Sequence, residues 1–244
     1  MRNICLLIEF EGTHYFGWQR QARGPTVQQR LEEAIERITG ADATVIGAGR
    51  TDSGVHALGM VVSFRTCSDM PMDRLRDGLN GVLPGDIAVL DAEDAPEDFH
   101  AQYSAKGKRY EYSVWPHRVR PVFDRERTWH VRWPLDVDLM NRGAAEIVGR
   151  RDFAAFQASG SAVERTVRTV FSAEWGRRGR ELVFGIEGDG FLYNMVRIAV
   201  GSLVDVGRGK TPLEQFIAAV DSGDRTLAGP TAPAKGLCLV RVDY

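Results

Sequence analysis

Alternating apolar and polar positions identify the first elements of the chain. Residues 3–10 read NICLLIEF and predict a strand. After a glycine-rich loop, apolar residues recur at helical spacing over residues 27–38. Thr26 stands at the expected N-cap with Gln29 as its capping-box partner, and Gly40 follows the last turn. The opening of the chain is therefore predicted to fold as a strand, a loop and a helix.

The remainder of the first half gives the same kinds of signal. It predicts a short strand at 43–46, a strand at 58–64, a helix at 71–79 entered through proline, and a strand at 86–90. The order of elements is β-α-β-β-α-β, which is typical of ferredoxin-like folds.

The second half repeats this order of elements without repeating the sequence. It predicts a strand at 109–115, a helix at 138–148, a hairpin at 167–175 and 182–187, helices at 191–206 and 212–220, and a strand at 237–242. We therefore expect an α+β protein with two ferredoxin-like halves, residues 1–104 and 105–244. The two halves are expected to join into one extended, mainly antiparallel sheet flanked by helices, with a central cleft that suits a ligand.

Charge is segregated along a chain whose formal net charge is only −2. Residues 101–133 carry eight Lys or Arg against three acidic residues, whereas residues 69–98 carry nine acidic residues and two Arg. A nearly neutral protein with this distribution can present one basic face to a nucleic acid.

Composition excludes several other classes of protein. Hydrophobic residues make up 43% of the chain, as in ordinary globular domains, and no apolar run is long enough to span a bilayer or to serve as a signal peptide. Three widely spaced cysteines form no CxxC pair and match no histidine at metal-ligand spacing, so we expect them to be small core residues. These features predict a cytoplasmic protein without a metal site.

The segment 47–56, GAGRTDSGVH, carries the chemistry that stands out most in the first half. Three glycines permit a tight backbone between two predicted strands. Arg50 and Asp52 are two residues apart, so in an extended segment both side chains point the same way, and an adjacent arginine keeps a carboxylate ionised. Such a carboxylate can act as a nucleophile or stabilise a developing cation. An ordinary surface turn is the alternative interpretation.

Residues 49–57, GRTDSGVHA, resemble the catalytic signature GRTDAGVHA of the TruA family of tRNA pseudouridine synthases, with Ser53 replacing the alanine. Further segments match that family in the family's order. They are residues 10–21, 99–105, 108–112, 191–197, 201–203 and 231–240, and together they span nearly the whole chain.

The resemblance implies a role for each matching residue. It makes Asp52 the catalytic aspartate and places Tyr110 against the target uracil. It implies that Arg197 pairs with Asp52 across the cleft, that Arg50 helps to hold the flipped nucleotide, and that Leu237 packs near the base.

The residue types suit these roles. Tyr110 lies within RYEYSVW, and an aromatic ring there can stack on a base. The same pattern is also typical of a tyrosine that only packs within a strand. Arg197 lies on an otherwise apolar helix, where a charged side chain needs either a partner or a path to solvent.

Four further residues are candidates for RNA contact. Phe99 and His100 precede the basic stretch and could stack on RNA or close the core of the first half. We favour the core for Phe99, and His100 stays undecided. Arg118 and Arg120 lie among tryptophans, a mixture of cations and aromatics that suits RNA but also occurs in buried strands.

The resemblance implies a homodimer that isomerises uridine to pseudouridine at positions 38, 39 and 40 of the tRNA anticodon stem-loop. Nothing is added or removed in that reaction, so no cofactor or metal is expected. A non-catalytic RNA-binding module is one alternative. A nucleoside hydrolase is another, although no second carboxylate is evident near Asp52.

Overall fold

The chain forms two compact units in the computed structural model, which describes residues 1–160 and 165–244. The first unit comprises Met1–Lys106 and Cys238–Tyr244, and the second comprises Gly107–Leu237.

Ten strands and five α-helices occur in the described ranges. In chain order they are β1 (Arg2–Phe10), α1 (Val27–Thr39), β2 (Ile46–Gly47), β3 (His56–Thr66), α2 (Met72–Val82), β4 (Ile87–Ala95), β5 (Gly107–Trp115), β6 (Trp129–His130), α3 (Val137–Glu146), β7 (Gly149–Asp152), β8 (Val167–Arg178), β9 (Glu181–Gly188), α4 (Met195–Gly207), α5 (Leu213–Ser222) and β10 (Leu237–Asp243). Strands within each unit are mostly antiparallel, so the predicted α+β class is confirmed.

The sheet of the first unit is built around β1, which pairs antiparallel with β3 on one side and with β4 on the other. β2 and β10 share the far edge of β3 because each covers a different part of it. β2 pairs antiparallel with Val62 and Ser63, whereas β10 pairs in parallel with His56 and Ala57. β3 is buried along nearly its whole length, as expected for a strand that is covered on both faces.

The sheet of the second unit has the order β5-β9-β8-β7, and all of these neighbours are antiparallel. The short strand β6 pairs in parallel with the end of β5. Helix α4 is the most deeply buried helix segment of this unit, because every one of its residues except Arg197 is buried.

The predicted start of α1 is confirmed at the level of single hydrogen bonds. The backbone N–H of Gln29 donates to Thr26 Oγ1 at 3.3 Å, and Gly40 closes the helix with φ of 75°. The side chain of Gln29 contacts Glu33 instead of returning to Thr26, so the capping box is only half formed.

The predicted helix at 191–206 begins four residues too early. α4 starts at Met195, because Asn194 adopts a left-handed backbone with φ of 62° that no right-handed helix can contain. The cysteines are also not all core residues, since Cys5 is buried while Cys67 is exposed.

Candidate active site

Asp52 is the first residue of a tight turn that follows β2. The N–H of Val55 donates to the Asp52 carbonyl at 3.1 Å, which closes the turn, and Gly54 supplies a φ of 79° at its third position. A turn with positive φ at this position favours glycine, because a Cβ would be strained there. The glycine spacing of the signature therefore fixes the backbone that presents the Asp52 carboxylate.

The Asp52 turn is held by the segment Glu11–Trp18, which we call the opening loop. The N–H of Trp18 donates to the Thr51 carbonyl at 3.0 Å, and the N–H of Gly54 donates to the Tyr15 carbonyl at 3.4 Å. Backbone bonds therefore fasten both sides of Asp52 to one loop.

Gly17 lets the opening loop approach the turn this closely. Its φ is 86°, and a Cβ at this position would lie 2.6 Å from the Thr51 carbonyl oxygen. Any larger residue would have to push the loop away from the segment that carries Asp52.

The opening loop is itself anchored at two further points. The buried Tyr15 donates its hydroxyl to Asp86 Oδ1 at 2.5 Å, and burial together with this hydrogen bond raises the pKa of Tyr15. The N–H of Gly12 donates at 3.0 Å to Nδ1 of the buried His56, which lies near the C-terminal end of the signature. His56 therefore has a structural role in holding this loop.

Ser53 contributes a hydrogen bond that an alanine at the same position lacks. Its Oγ donates to the Tyr15 carbonyl at 3.1 Å, the same oxygen that accepts from Gly54. The departure of this chain from the GRTDAGVHA signature adds a bond between the opening loop and the Asp52 turn.

Arg50 is exposed, and its side chain forms no hydrogen bond or ion pair with any residue in the described ranges. Asp52 itself is half-buried. The guanidinium of Arg50 is therefore accessible to an anionic ligand such as an RNA phosphate.

In the second unit, Tyr110 is buried on β5 with 8% of its surface exposed. The ring of Phe191 meets it edge-on, with ring centroids 5.3 Å apart. Edge-on aromatic contacts of this kind hold ring orientation. Phe191 thus fixes the plane in which Tyr110 presents its ring.

Tyr112, two residues along the same strand, ties β5 to the segment that precedes β10. Its hydroxyl donates to the Pro233 carbonyl at 2.7 Å, and burial raises the pKa of this fully buried phenol. Leu237 follows this segment and is itself buried. The tyrosine that shares a strand face with Tyr110 is therefore structural.

Arg197 has partners within its own unit. Its Nε donates to the Ala232 carbonyl at 2.8 Å, and its Nη1 donates to Asn194 Oδ1 at 2.6 Å. Arg197 therefore does not simply extend into solvent, and its pairing with Asp52 stays a prediction.

Comparison with known proteins shows the family to which the chain belongs. A family model described as tRNA pseudouridine synthase matches residues 6–104 and 144–244, which include Asp52, Arg197 and Leu237. The chain belongs to the tRNA pseudouridine synthase family. The resemblance to TruA enzymes stated from the sequence is thereby confirmed.

Relatives named tRNA pseudouridine synthase A extend the match to the whole chain. The relative from Acetivibrio thermocellus is 47% identical over 244 residues, covering 100% of both chains. The relative from Syntrophotalea carbinolica is 49% identical over 244 residues, covering 100% of this chain and 97% of its own. The relative from Moorella thermoacetica is 47% identical over 243 residues, covering 99% of each chain. Because synthases of this family are isomerases, this chain is an enzyme of that class.

The candidate residues of this pseudouridine synthase divide between the units. Asp52 and Arg50 lie in the first unit, and Tyr110, Arg197 and Leu237 lie in the second. Sequence reasoning missed Phe191 and Asn194, which contact Tyr110 and Arg197, respectively. Both lie in the segment FLYNMVR, whose apolar pattern predicts a helix and so hides their separate contacts.

Phe99 and His100 have local contacts in the first unit. The Phe99 ring packs 5.0 Å from that of Tyr244, which suits a core role. Nδ1 of His100 accepts the backbone N–H groups of Gln102 and Tyr103, so this side chain stabilises a turn. Contact of either residue with RNA stays a prediction.

Arg118 and Arg120 lie on an exposed loop that follows β5, and neither side chain bonds any residue that the structure describes. The same loop exposes 97% of Phe123. Exposed cations and an exposed aromatic ring on one loop suit a nucleic-acid strand.

Two other kinds of site do not occur in the described ranges. No group of three His, Cys, Asp or Glu residues there is placed to hold a metal ion. None of the helices in those ranges combines the length and the apolar character needed to cross a membrane.

The contact between Gly17 and the Asp52 turn predicts that Gly17→Ala costs stability and activity together. The positive φ and the overlap with the Thr51 carbonyl should lower the free energy of unfolding by about 2 kcal/mol or more. Urea unfolding and the rate of pseudouridine formation measure the two effects.

Gly40→Ala is the matched control, because Gly40 has a φ of 75° and a Cβ added there would have nothing within 4 Å. It should cost about 1 kcal/mol and leave the rate unchanged. Full activity of Gly17→Ala, whatever its loss of stability, would show that the opening loop does not position Asp52.

Proposed function

We propose that this enzyme isomerises uridine to pseudouridine at positions 38, 39 and 40 of the tRNA anticodon stem-loop, with Asp52 as the catalytic carboxylate. The observation that carries the proposal is the Asp52 turn, which backbone bonds to the opening loop hold on both sides. Membership of the tRNA pseudouridine synthase family supports the reaction. The resemblance of the signature to that of TruA enzymes supports positions 38, 39 and 40 as its targets.

The reaction conserves every atom of the nucleotide. The bond between N1 and C1′ breaks, the uracil turns, and a bond forms between C5 and C1′, while C5 loses a proton and N1 gains one. No electrons are exchanged with another molecule, so the isomerisation requires no redox cofactor. The role of Asp52 stays open among attack on C1′, departure of the uracil through a glycal, and addition to the ring.

Residues of the second unit would contact the base or keep the Asp52 carboxylate ionised. Tyr110 would lie against the uracil, where its ring can stack and its phenol can move a proton as C5 attaches. Arg197 would pair with Asp52 and keep the carboxylate ionised. Leu237 would pack near the base, and its burial gives an apolar contact without added flexibility.

Arg50 would hold the target nucleotide after it leaves the stem. Flipping a base out of a helix costs a few kcal/mol, which contacts with the phosphate backbone can offset. The exposed side chain of Arg50, two residues from Asp52, suits this role because it has no protein partner in the described ranges.

The RNA is expected to bind along the basic stretch that contains Arg118 and Arg120, with Phe99 and His100 as further contacts. The proposal also includes the assembly and location that the TruA family implies, namely a homodimer in the cytoplasm with no bound cofactor.

The carboxylate is tested by Asp52→Asn and Asp52→Ala. Each should lower turnover by more than about a thousandfold, because the reactive oxygen is lost, while the affinity for tRNA changes little. Release of tritium from tRNA labelled at C5 of uridine measures turnover, and filter binding measures affinity.

Asp98→Asn is the control, since Asp98 is exposed and lies outside the signature. Substantial turnover by either Asp52 variant would remove Asp52 from its role. Binding by the wild type without tritium release would favour an RNA-binding module, and accumulation of free uracil would favour a hydrolase.

The RNA surface is tested by the double variant Arg118→Gln and Arg120→Gln. The slope of log Kd against log salt concentration should fall by about 0.7 to 0.9 for each phosphate contact that is lost. Arg74→Gln, within the acidic stretch of the first unit, should leave the slope unchanged. An unchanged slope in the double variant would place the RNA on another face.

The assembly is tested by sedimentation velocity at the concentrations used for the activity assay. We expect a species of twice the mass of one chain. Full activity from a species with the mass of a single chain would contradict the homodimer.

A further inference from the structure

Asn194 is the one non-glycine residue with a positive φ in residues 1–160 and 165–244. Its φ of 62° and ψ of 7° place it in the left-handed region directly before α4. Asparagine tolerates this conformation better than most residues, yet the backbone there is less favourable than in a right-handed helix. A residue held in this way needs a compensating contact.

The contact is not the usual one for a helix N-cap. An asparagine at this position normally accepts a hydrogen bond from a backbone N–H of the first turn, but the Asn194 side chain forms no such bond with α4. Its Oδ1 accepts instead from Arg197 Nη1 at 2.6 Å. The oxygen that would cap the helix is therefore used to hold a guanidinium.

A second anchor fixes another edge of the same guanidinium. Arg197 Nε donates to the Ala232 carbonyl at 2.8 Å, and the N–H of Ala232 donates back to the Arg197 carbonyl at 3.0 Å. The segment that carries Ala232 is fastened to α4, because the N–H of Gly229 donates to Oγ of the buried Ser202 at 2.7 Å.

These two anchors differ in their dependence on residue type, because one is a backbone oxygen and the other a side-chain oxygen. The Ala232 carbonyl belongs to the backbone and would accept from any arginine at position 197. The Asn194 oxygen reaches Nη1 from a side chain, and the left-handed backbone sets where that side chain starts. Two fixed bonds on different nitrogens leave the planar guanidinium little rotational freedom.

We propose that Asn194 is a positioning residue that orients Arg197 for the isomerisation. The proposal rests on the role of Arg197 in the proposed function. Asparagine is suited to this place because it combines tolerance of the left-handed backbone with an oxygen that accepts from a guanidinium.

Asn194→Gly tests the contribution of the side chain separately from that of the left-handed backbone. Glycine adopts the left-handed conformation without strain, so the fold should be retained, while the bond to Arg197 is lost. We expect kcat to fall by about 10- to 100-fold, as for a lost hydrogen bond to a charged group, with a smaller change in KM for tRNA. Asn194→Asp keeps an accepting oxygen, so its kcat should be close to that of the wild type.

Asp136→Gly is the matched control, since Asp136 caps α3 by accepting the N–H of Leu139 at 2.9 Å. It should lower the melting temperature and leave kcat unchanged. If Asn194→Gly turns over like the wild type, or if Asn194→Asp is as slow as Asn194→Gly, the positioning role is overturned.

Arg197→Gln distinguishes this inference from the proposed function. If Arg197→Gln loses activity, Asn194→Gly should add nothing in that background, because both act through one guanidinium. Independent, multiplicative losses would contradict the inference while leaving the role of Arg197 intact. Full activity of Arg197→Gln would instead overturn the role assigned to Arg197 in the proposed function.

Discussion

The backbone bonds between the opening loop and the Asp52 turn are the constraint on which the candidate site depends. Trp18 binds the Thr51 carbonyl, and Gly54 binds the Tyr15 carbonyl, so residues on both sides of Asp52 are fixed to one segment. In the proposed function the carboxylate meets one atom of a flipped nucleotide, and fixed geometry favours this because small displacements of a reacting group are costly in rate. The serine of this chain's signature strengthens the same attachment.

In the second unit the main constraint is a charged arginine on an otherwise buried helix. α4 is buried at every position except Arg197, and an unpaired charge in such a place would be strongly unfavourable. Asn194 and Ala232 offer oxygens to two nitrogens of the guanidinium, so its position is set by the protein before any substrate arrives. In the role proposed for Arg197, a charge preorganised in this way would avoid reorganisation during the reaction.

The sequence predicts the parts of this structure that depend on local pattern. The spacing of apolar residues located the main strands, Thr26 located the start of α1, and the glycines of the signature indicated the tight turn at Asp52. It could not predict features that depend on distant partners. The apolar run at 191–206 hides the left-handed backbone of Asn194, whose side chain bonds to Arg197, and nothing local indicates that β10 pairs with β3.

The central claim is that this enzyme converts uridines of the anticodon stem-loop through Asp52. Mapping of pseudouridines in an unmodified tRNA transcript tests it most directly, after incubation with the wild type and with a variant that lacks the Asp52 carboxylate. We expect new pseudouridines at positions 38 to 40 with the wild type and none with the variant. Pseudouridines elsewhere in the tRNA, or the same map from both proteins, would contradict the claim.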